Sequence, residues 1–262
     1  QERAWVENIV ASAGVSLFMG SVAVERMPDG EAQWKNGAFV VDPVEGVQPA
    51  WYAKRRLVPF GEYVPFRPLL GWLSKVTDVG EGDFVRGESA TPLLITAPGR
   101  IFSVGPLICY EDVFPQLARE SVQSGAEVLA VITNNGWFGE GGAAYQHAAH
   151  SVLRAVEMRR PVIRCGNGGW SGWIDEFGKI RAVMTNPQGS VYFRGAATFE
   201  VTRDSRWIEK RSVYSRFGDW FVAMSLALAA IGAGALRLKV PTGTPAAEGA
   251  GDETGVSAAR RG

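Results

Sequence analysis

The residues of this 262-residue chain that are best suited to chemistry surround a cysteine at the end of an apolar run. Cys109 lies in GPLICYEDVFP, residues 105–115, between that run and the start of a helical pattern. A thiol becomes a nucleophile when a cation or the positive end of a helix favours its thiolate. The backbone N–H of Tyr110 would be free at such a turn to hold an oxyanion. A buried structural cysteine is the alternative interpretation of the same stretch.

The candidate cation and a second carboxylate come from AKRRLVPFGEYVPF, residues 53–66. Lys54 is predicted at the end of a strand, and Glu62 lies in a loop among apolar neighbours. A carboxylate in such a place is costly unless it has a cationic partner or a proton-transfer role. The pattern therefore predicts either a catalytic pair beside Cys109 or an ordinary surface ion pair. Glu111 could pair with Lys54 as well, or it could cap the helix that follows the cysteine.

A third polar segment follows the next predicted strand. Its motif NNGWFG places Trp137 and Phe138 in an exposed loop. The helix after it carries His147 and His150, but no second pair of ligands completes a metal site, so we expect no metal. Cys165 lies inside a predicted strand with no acid or base nearby in the sequence, and we expect it in the core.

The composition and the alternation of predicted strands and helices indicate a globular α/β protein. Lys plus Arg equals Asp plus Glu at 27 each, which argues against a nucleic-acid partner. Two cysteines cannot form a disulfide framework, although they leave one bridge open. The opening residues follow a helical pattern, and helices are predicted over 113–124 and 143–158. Apolar runs such as WYAKRRLV predict strands between them, so strands and helices alternate.

The C-terminal part differs from the rest of the chain. WFVAMSLALAAIGAGAL, residues 220–236, contains no charge and lies at the short end of the roughly 17–25 residues that a membrane-spanning helix needs. A buried core helix is the alternative. The residues beyond it are rich in Gly, Ala, Pro and Thr, which favours disorder and therefore a terminal anchor. The predicted organisation is a globular domain over 1–219, a transmembrane helix over 220–238 and a disordered tail over 239–262.

The three motifs together resemble the nitrilase-like domain of the apolipoprotein N-acyltransferases. The resemblance rests on a lysine before LVPFGEYVP, on ICYE at a strand end and on TNNGWFG followed by QH and RP. It covers about residues 5–238, and the terminal apolar segment after YSRFGDW fits it as well. It implies an α-β-β-α sandwich of the nitrilase, or carbon–nitrogen hydrolase, superfamily that is incomplete at its N-terminus and is followed by one transmembrane helix.

The resemblance also implies roles for individual residues. The family has a Glu-Lys-Cys triad, in which Cys109 would be the nucleophile that takes an acyl chain from a phospholipid and holds it as a thioester. The α-amine of a diacylglyceryl-cysteine at the N-terminus of an apolipoprotein then attacks the thioester. Lys54 matches the lysine that stabilises the tetrahedral intermediates, and Glu62 matches a further essential glutamate. Tyr110 and Glu111 match residues that the family needs beside the cysteine.

Substrate contacts, partners and location follow from the same resemblance. Trp72, with Leu69 and Leu70, falls where the family has an apolar arm close to the membrane. Trp137 and Phe138 would form another apolar wall for acyl chains, although packing accounts for them equally well. The family needs no cofactor. Its partners are a phospholipid donor, a diacylglyceryl apolipoprotein acceptor and the membrane, with the catalytic domain on the periplasmic or outer face of the bacterial inner membrane.

One feature of the family pattern has no counterpart in this sequence. The family's general-base glutamate lies upstream in a segment like W-P-E-[ST]-A, and neither Glu7 nor Glu25 has that context. A start without Met or an export signal agrees with this, so we expect a C-terminal part that alone does not complete the reaction. The alternatives are a soluble amidase of the superfamily, which would share Cys109 and Lys54, and an inactive membrane-tethered remnant.

Overall fold

The computed structural model of the protein describes residues 2–72, 83–97 and 99–239. The chain divides into two compact units, Gln1–Gly218 and Asp219–Gly262. Within the described ranges, the first unit contains two β-sheets with their helices, and the second contains one long helix.

The smaller sheet has three antiparallel strands in the order β1-β2-β3. These strands are β1 (Leu17–Arg26), β2 (Ala32–Asp42) and β3 (Gly46–Ala53). The helix predicted for the opening residues is confirmed as α1 (Glu2–Ala13). It packs against β2 and β3.

Strand β3 is shorter than the strand predicted for WYAKRRLV. It ends at Ala53, so the prediction is confirmed for Lys54 at the strand end and is wrong for the residues after it. The cause is visible in the backbone hydrogen bonds. Lys54 N still donates to Asn36 O of β2, at 2.8 Å, but the next two N–H groups turn towards the carboxylate of Glu111.

The larger sheet has six strands in the order β4-β5-β6-β7-β8-β9. The strands are β4 (Leu93–Ala97), β5 (Arg100–Ile108), β6 (Val128–Asn134), β7 (Val162–Asn167), β8 (Gly172–Ile174) and β9 (Ile180–Val183). The central strands β5, β6 and β7 are parallel, and the outer pairings are antiparallel. The carboxyl ends of the three parallel strands therefore meet at one edge, where α/β sheets commonly bind ligands.

Two helices connect the parallel strands of the larger sheet, α3 (Pro115–Gln123) and α4 (Ala143–Met158). The short helix α2 (Arg67–Leu70) precedes β4, and α5 (Val213–Phe217) follows β9. Helix α4 has the bounds that the sequence predicts. Helix α3 begins later than predicted, because a 3₁₀-helix, Cys109–Val113, comes first. Pro115 suits the new start, since its missing N–H would have no partner in the first helical turn.

Two apolar cores separate the layers. Between the sheets, Ala38, Val40 and Tyr52 pack with Leu93 and with Ile108 of β5. On the other face of the larger sheet, the second core joins the strands to α3 and α4; it includes Leu107, Leu117, Leu129, Val131 and Met158. This order of layers confirms the predicted α-β-β-α sandwich. Because neighbouring residues of a strand point to opposite faces, β5 is held in both cores just before Cys109.

The second unit consists of α6 (Trp220–Lys239) within the described residues. Its segment Trp220–Arg237 has a mean hydropathy of 1.6 over 18 residues, which is long and apolar enough to cross a membrane. The membrane span over 220–238 is thus compatible with this helix and stays a prediction. From residue 240 onwards, the tail predicted for 239–262 lies outside the described residues.

Replacement of Leu107 by alanine tests the role of β5 as the support of the following turn. Leu107 is fully buried, so the Leu107→Ala change should lower the free energy of unfolding by about 2–5 kcal/mol in urea denaturation. Leu94→Ala on β4 is the matched control, because Leu94 is 62% exposed and should contribute little. Equal losses in the two variants would contradict this packing.

Candidate active site

Cys109 occupies a sharp turn between β5 and α3. Its φ angle is +55°, in the left-handed region that residues other than glycine seldom adopt. Such a conformation costs about 1–3 kcal/mol and persists only where its surroundings impose it. The next residue, Tyr110, lies in the first turn of the 3₁₀-helix Cys109–Val113, where N–H groups have no partner inside the helix. The turn therefore presents a thiol beside a free N–H group.

The Glu111 carboxylate joins this turn to the loop after β3. It is fully buried. Its Oε2 accepts from Tyr52 OH at 2.9 Å and from Ile108 N at 2.8 Å. Its Oε1 accepts from Arg55 N at 2.7 Å and from Arg56 N at 3.0 Å. Burial raises the pKa of Glu111, and these hydrogen bonds to the carboxylate oppose that increase.

These contacts decide between the two roles that the sequence left open for Glu111. The bond from Ile108 N makes it a cap of the 3₁₀-helix, while Lys54 pairs with Glu62 instead. Lys54 Nζ lies 2.7 Å from Glu62 Oε1, and the lysine side chain is only 1% exposed. Because the lysine is buried and the glutamate is only 14% exposed, this is not an ordinary surface ion pair. It sits beside the turn, since Lys54 Nζ is 5.4 Å from the ring centroid of Tyr110.

Glu62 is held by more than its lysine. Its Oε2 accepts from Val58 N at 2.8 Å, and Asn36 Nδ2 donates to its Oε1. Two donors besides Lys54 therefore hold the Glu62 carboxylate in place, and this carboxylate in turn orients the Lys54 ammonium group. Tyr110 closes the same region, because its hydroxyl donates to Leu57 O at 2.7 Å. Burial, with the negative charge of Glu62, raises the pKa of Tyr110 and keeps that donor protonated.

A second buried cluster lies behind the turn. Asp112 is fully buried and accepts from His147 Nε2 at 3.0 Å, from Ser151 Oγ at 2.7 Å and from Arg164 Nη1 at 2.5 Å. Burial would raise the pKa of Asp112, but the hydrogen bond from His147 and the charge of Arg164 outweigh it and lower the pKa. His147 Nε2 also lies 3.2 Å from the carbonyl oxygen of Cys109. The cluster therefore contacts the backbone of the cysteine itself.

Arg164 is the least expected member of this cluster. Burial lowers the pKa of its guanidinium, while the negative charge of Asp112 acts in the opposite direction. Asp112, Ser151 and Arg164 are not among the site residues that the sequence predicts. The available signal was an arginine inside an apolar strand, since a buried arginine needs an anionic partner.

The prediction that Cys165 belongs to the core is wrong. Both cysteines are free, and Cys165 is exposed. Strand β7 alternates between its faces, so that Val162 and Arg164 point inwards while Ile163 and Cys165 point outwards. The inward position next to Cys165 is thus taken by the arginine that neutralises Asp112.

A cavity of about 330 Å³ opens at Cys109. Its lining is Val58, Cys109, Tyr110, Val113, Phe138, Ala143, Gln146, His147 and His150. Of the aromatic residues predicted to bind acyl chains, Phe138 lines this cavity. Trp137 and Trp72 do not line it, and they are 67% and 64% exposed. The substrate-binding roles of these two residues stay predictions.

Two further findings limit the chemistry of the site. Within residues 2–72, 83–97 and 99–239, no carboxylate makes a hydrogen bond with the Cys109 thiol. Over the same part of the chain, no group of three or more His, Cys, Asp or Glu residues could hold a metal ion.

The fold agrees with that of a known enzyme family. The family model described as carbon-nitrogen hydrolase matches residues 1–199, and the chain belongs to that family. A solved relative in fold is a mutant of the amidase from Nesterenkonia sp. AN1, which carries acrylamide at its active-site cysteine. That match has a TM-score of 0.50 at 21% identity and covers 70% of this chain and 63% of the amidase chain, so it supports the fold alone.

Curated relatives give a narrower likeness. The chain is 39% identical over 227 residues to the apolipoprotein N-acyltransferase of Geobacter metallireducens, covering 86% of this chain and 40% of that protein. It is 33% identical over 231 residues to the enzyme of the same name from Azotobacter vinelandii, covering 88% of this chain and 41% of that protein. The chain thus spans about two fifths of the length of these relatives.

The buried Asp112–Arg164 pair gives a prediction for stability. Asp112→Asn keeps the shape of the side chain but leaves Arg164 as an uncompensated buried charge, which should cost about 3–5 kcal/mol of unfolding free energy. Urea denaturation near neutral pH would measure this loss. Asp204→Asn is the control, because its partner Arg206 is largely exposed and the change should matter little.

The same variant should change the dependence of stability on pH. A carboxyl whose pKa is lower in the native state than in the unfolded state adds stability above its unfolded pKa, about 3.9, and loses it as the pH falls through the native pKa. The unfolding free energy of the Asp112→Asn protein should therefore fall less steeply than that of the wild type between about pH 5 and pH 2. Parallel acid slopes would contradict the contribution of Asp112.

Proposed function

We propose that this chain provides the thioester-forming site of an N-acyltransferase that modifies lipoproteins. The observation that carries the proposal is the turn that presents Cys109 beside the pair formed by the buried Lys54 and Glu62. The family model is that of a carbon-nitrogen hydrolase, and the names of the curated relatives support N-acyl transfer to an apolipoprotein; the phospholipid donor is part of this proposal. The proposal needs no metal or organic cofactor.

The proposed reaction has two steps that meet at Cys109. In the first, the sulfur attacks the acyl ester carbonyl of a phospholipid; a C–S bond forms, the ester C–O bond breaks, and the lysophospholipid leaves with the thiol proton. In the second, the α-amine of a diacylglyceryl-cysteine attacks the thioester; a C–N bond forms, the C–S bond breaks, and the thiol regains a proton. Dividing amide synthesis in this way replaces one difficult step by two easier ones.

Lys54 and the N–H of Tyr110 are the proposed holders of the oxyanion in each tetrahedral intermediate. A cation that burial keeps away from water interacts strongly with charge that develops beside it. Glu62 would orient that cation. Its oxygens already accept from Lys54, Asn36 and Val58, which favours orientation over proton transfer with Cys109.

The location of the reaction also belongs to the proposal. Helix α6 supports an anchor in the bacterial inner membrane, with the reaction on the periplasmic or outer face. In the other unit, Phe66, Leu69 and Trp72 expose 79%, 77% and 64% of their area around α2. Large apolar side chains exposed together commonly mark a membrane or lipid contact, so these residues support the proposed apolar arm.

Capture of the thioester tests the proposed nucleophile. Membranes that contain the chain and a phospholipid with an alkyne-tagged acyl chain should give protein label that neutral hydroxylamine removes. Cys109→Ala should abolish the label, and the control Cys165→Ala, which removes the other free thiol, should retain it. The assay is run on the chain alone and fused to the N-terminal segment of the Geobacter relative. Absence of label from both forms would contradict the proposal.

Loss of the buried cation should slow formation of the thioester. Removal of one oxyanion donor costs about 10²–10³-fold in rate, so Lys54→Met should lower the rate of labelling by that order. Lys35→Met is the matched control, because Lys35 forms an ion pair with Glu25 away from the cavity. An unchanged rate in Lys54→Met would contradict the role of Lys54.

A further inference from the structure

A second cavity, of about 400 Å³, is lined in part by the loop that follows Lys54. Its lining is Arg55, Arg56, Leu57, Tyr63, Asp83, Phe84, Val85 and Arg86. Three of these eight side chains are guanidinium groups, which is unlike the largely apolar lining of the Cys109 cavity. The balance of charge in this second cavity therefore decides what it can bind.

Two of its charged groups already have partners. The Arg55 guanidinium donates to Tyr52 OH at 3.2 Å, to Leu117 O at 3.1 Å and to the carboxylate of Glu120. The carboxylate of Asp83 likewise accepts from Arg67 and from Val64 N. Neither group leaves a net charge for a ligand.

Arg56 and Arg86 are different. Neither guanidinium donates a hydrogen bond or forms an ion pair within the part of the chain that the structure describes. The Arg56 guanidinium instead lies 5.0 Å from the ring centroid of Phe114, which helps to hold its position. Two positive charges therefore remain without an anion in one cavity that the Tyr63 hydroxyl also lines. Guanidinium groups bind phosphate oxygens in a bidentate geometry, so a phosphate is an anion that this pair of arginines suits.

The loop that follows Lys54 lines both cavities and so links the second cavity to the site at Cys109. Arg56 N donates to the Glu111 carboxylate, and Leu57 O accepts from Tyr110 OH. The next residue, Val58, lines the Cys109 cavity. The adjacent residues Leu57 and Val58 thus line one cavity each, and the loop that carries them is bonded to the turn that carries the cysteine.

We propose that the second cavity is a phosphate site formed by Arg56 and Arg86. Its ligand is the phosphodiester of a glycerophospholipid, whose acyl ester reaches Cys109 across Leu57 and Val58. The lipid source rests on the function proposed above, whereas the anion chemistry does not. Free inorganic phosphate shares that chemistry, so the test must separate the two sources.

Binding is measured by calorimetry in a Cys109→Ala background, so that no thioester can form. The probes are monomeric dihexanoylphosphatidylcholine, its phosphate-free counterpart dihexanoylglycerol, and inorganic phosphate at constant ionic strength. The Arg56→Gln/Arg86→Gln protein should bind dihexanoylphosphatidylcholine at least about tenfold more weakly, since each charge-assisted contact contributes more than about 1 kcal/mol. Its binding of dihexanoylglycerol should not change.

The matched control is Arg26→Gln/Arg194→Gln, which removes two exposed arginines that line neither cavity. This control should bind all three probes as tightly as the parent, which is the Cys109→Ala protein. The phosphate site is overturned if the Arg56→Gln/Arg86→Gln protein keeps the parental affinity, or if the parent does not prefer dihexanoylphosphatidylcholine to dihexanoylglycerol. Arginine-dependent binding of inorganic phosphate alone supports the anion site and overturns its lipid source. Normal phospholipid binding without thioester label in the capture assay would overturn the proposed function and leave the phosphate site standing.

Discussion

The four hydrogen bonds of the Glu111 carboxylate are the constraint on which the rest of the site depends. They fasten the loop after β3, which comes from one sheet, to the turn after β5, which comes from the other. Because this loop carries Lys54 and this turn carries Cys109, one buried carboxylate sets the separation of both groups. A single side chain can do so since each of its oxygens accepts two donors from fixed backbone or from a fixed hydroxyl.

A second set of charges supports the turn from behind. The Asp112–Arg164 pair and His147 hold the 3₁₀-helix against β7 and α4, and His147 also contacts the carbonyl oxygen of Cys109. The left-handed conformation of Cys109 is thereby imposed from two sides, by Glu111 and by Asp112. Backbone strain of this kind, held by its surroundings, is common at functional sites. It agrees with the proposed role of Cys109 as the nucleophile.

The sequence was informative where local patterns decide the structure. Helix α4 has the predicted bounds, and Lys54 lies at the predicted strand end, because periodicity and strand length are local properties. Arg164 could not be anticipated in the same way. Its anion lies 52 residues away in the sequence, and without that partner an inward-facing arginine contradicts the usual preference for burial. The error for Cys165 has the same origin, since its outward direction follows from the inward direction of Arg164.

The measurement that tests the central claim most directly is the rate of thioester formation in Glu111→Gln, in protein that keeps its native circular dichroism. An amide in place of the carboxylate presents N–H groups to donors, so at least one of the four hydrogen bonds is lost and the loop and turn separate. If Glu111 sets the separation of Cys109 and Lys54, the rate should be at least about 10²-fold below that of the wild type, because small errors in position are costly in catalysis. Glu120→Gln is the control, because Glu120 is the exposed partner of Arg55, and it should keep the wild-type rate. A wild-type rate in Glu111→Gln would contradict the account.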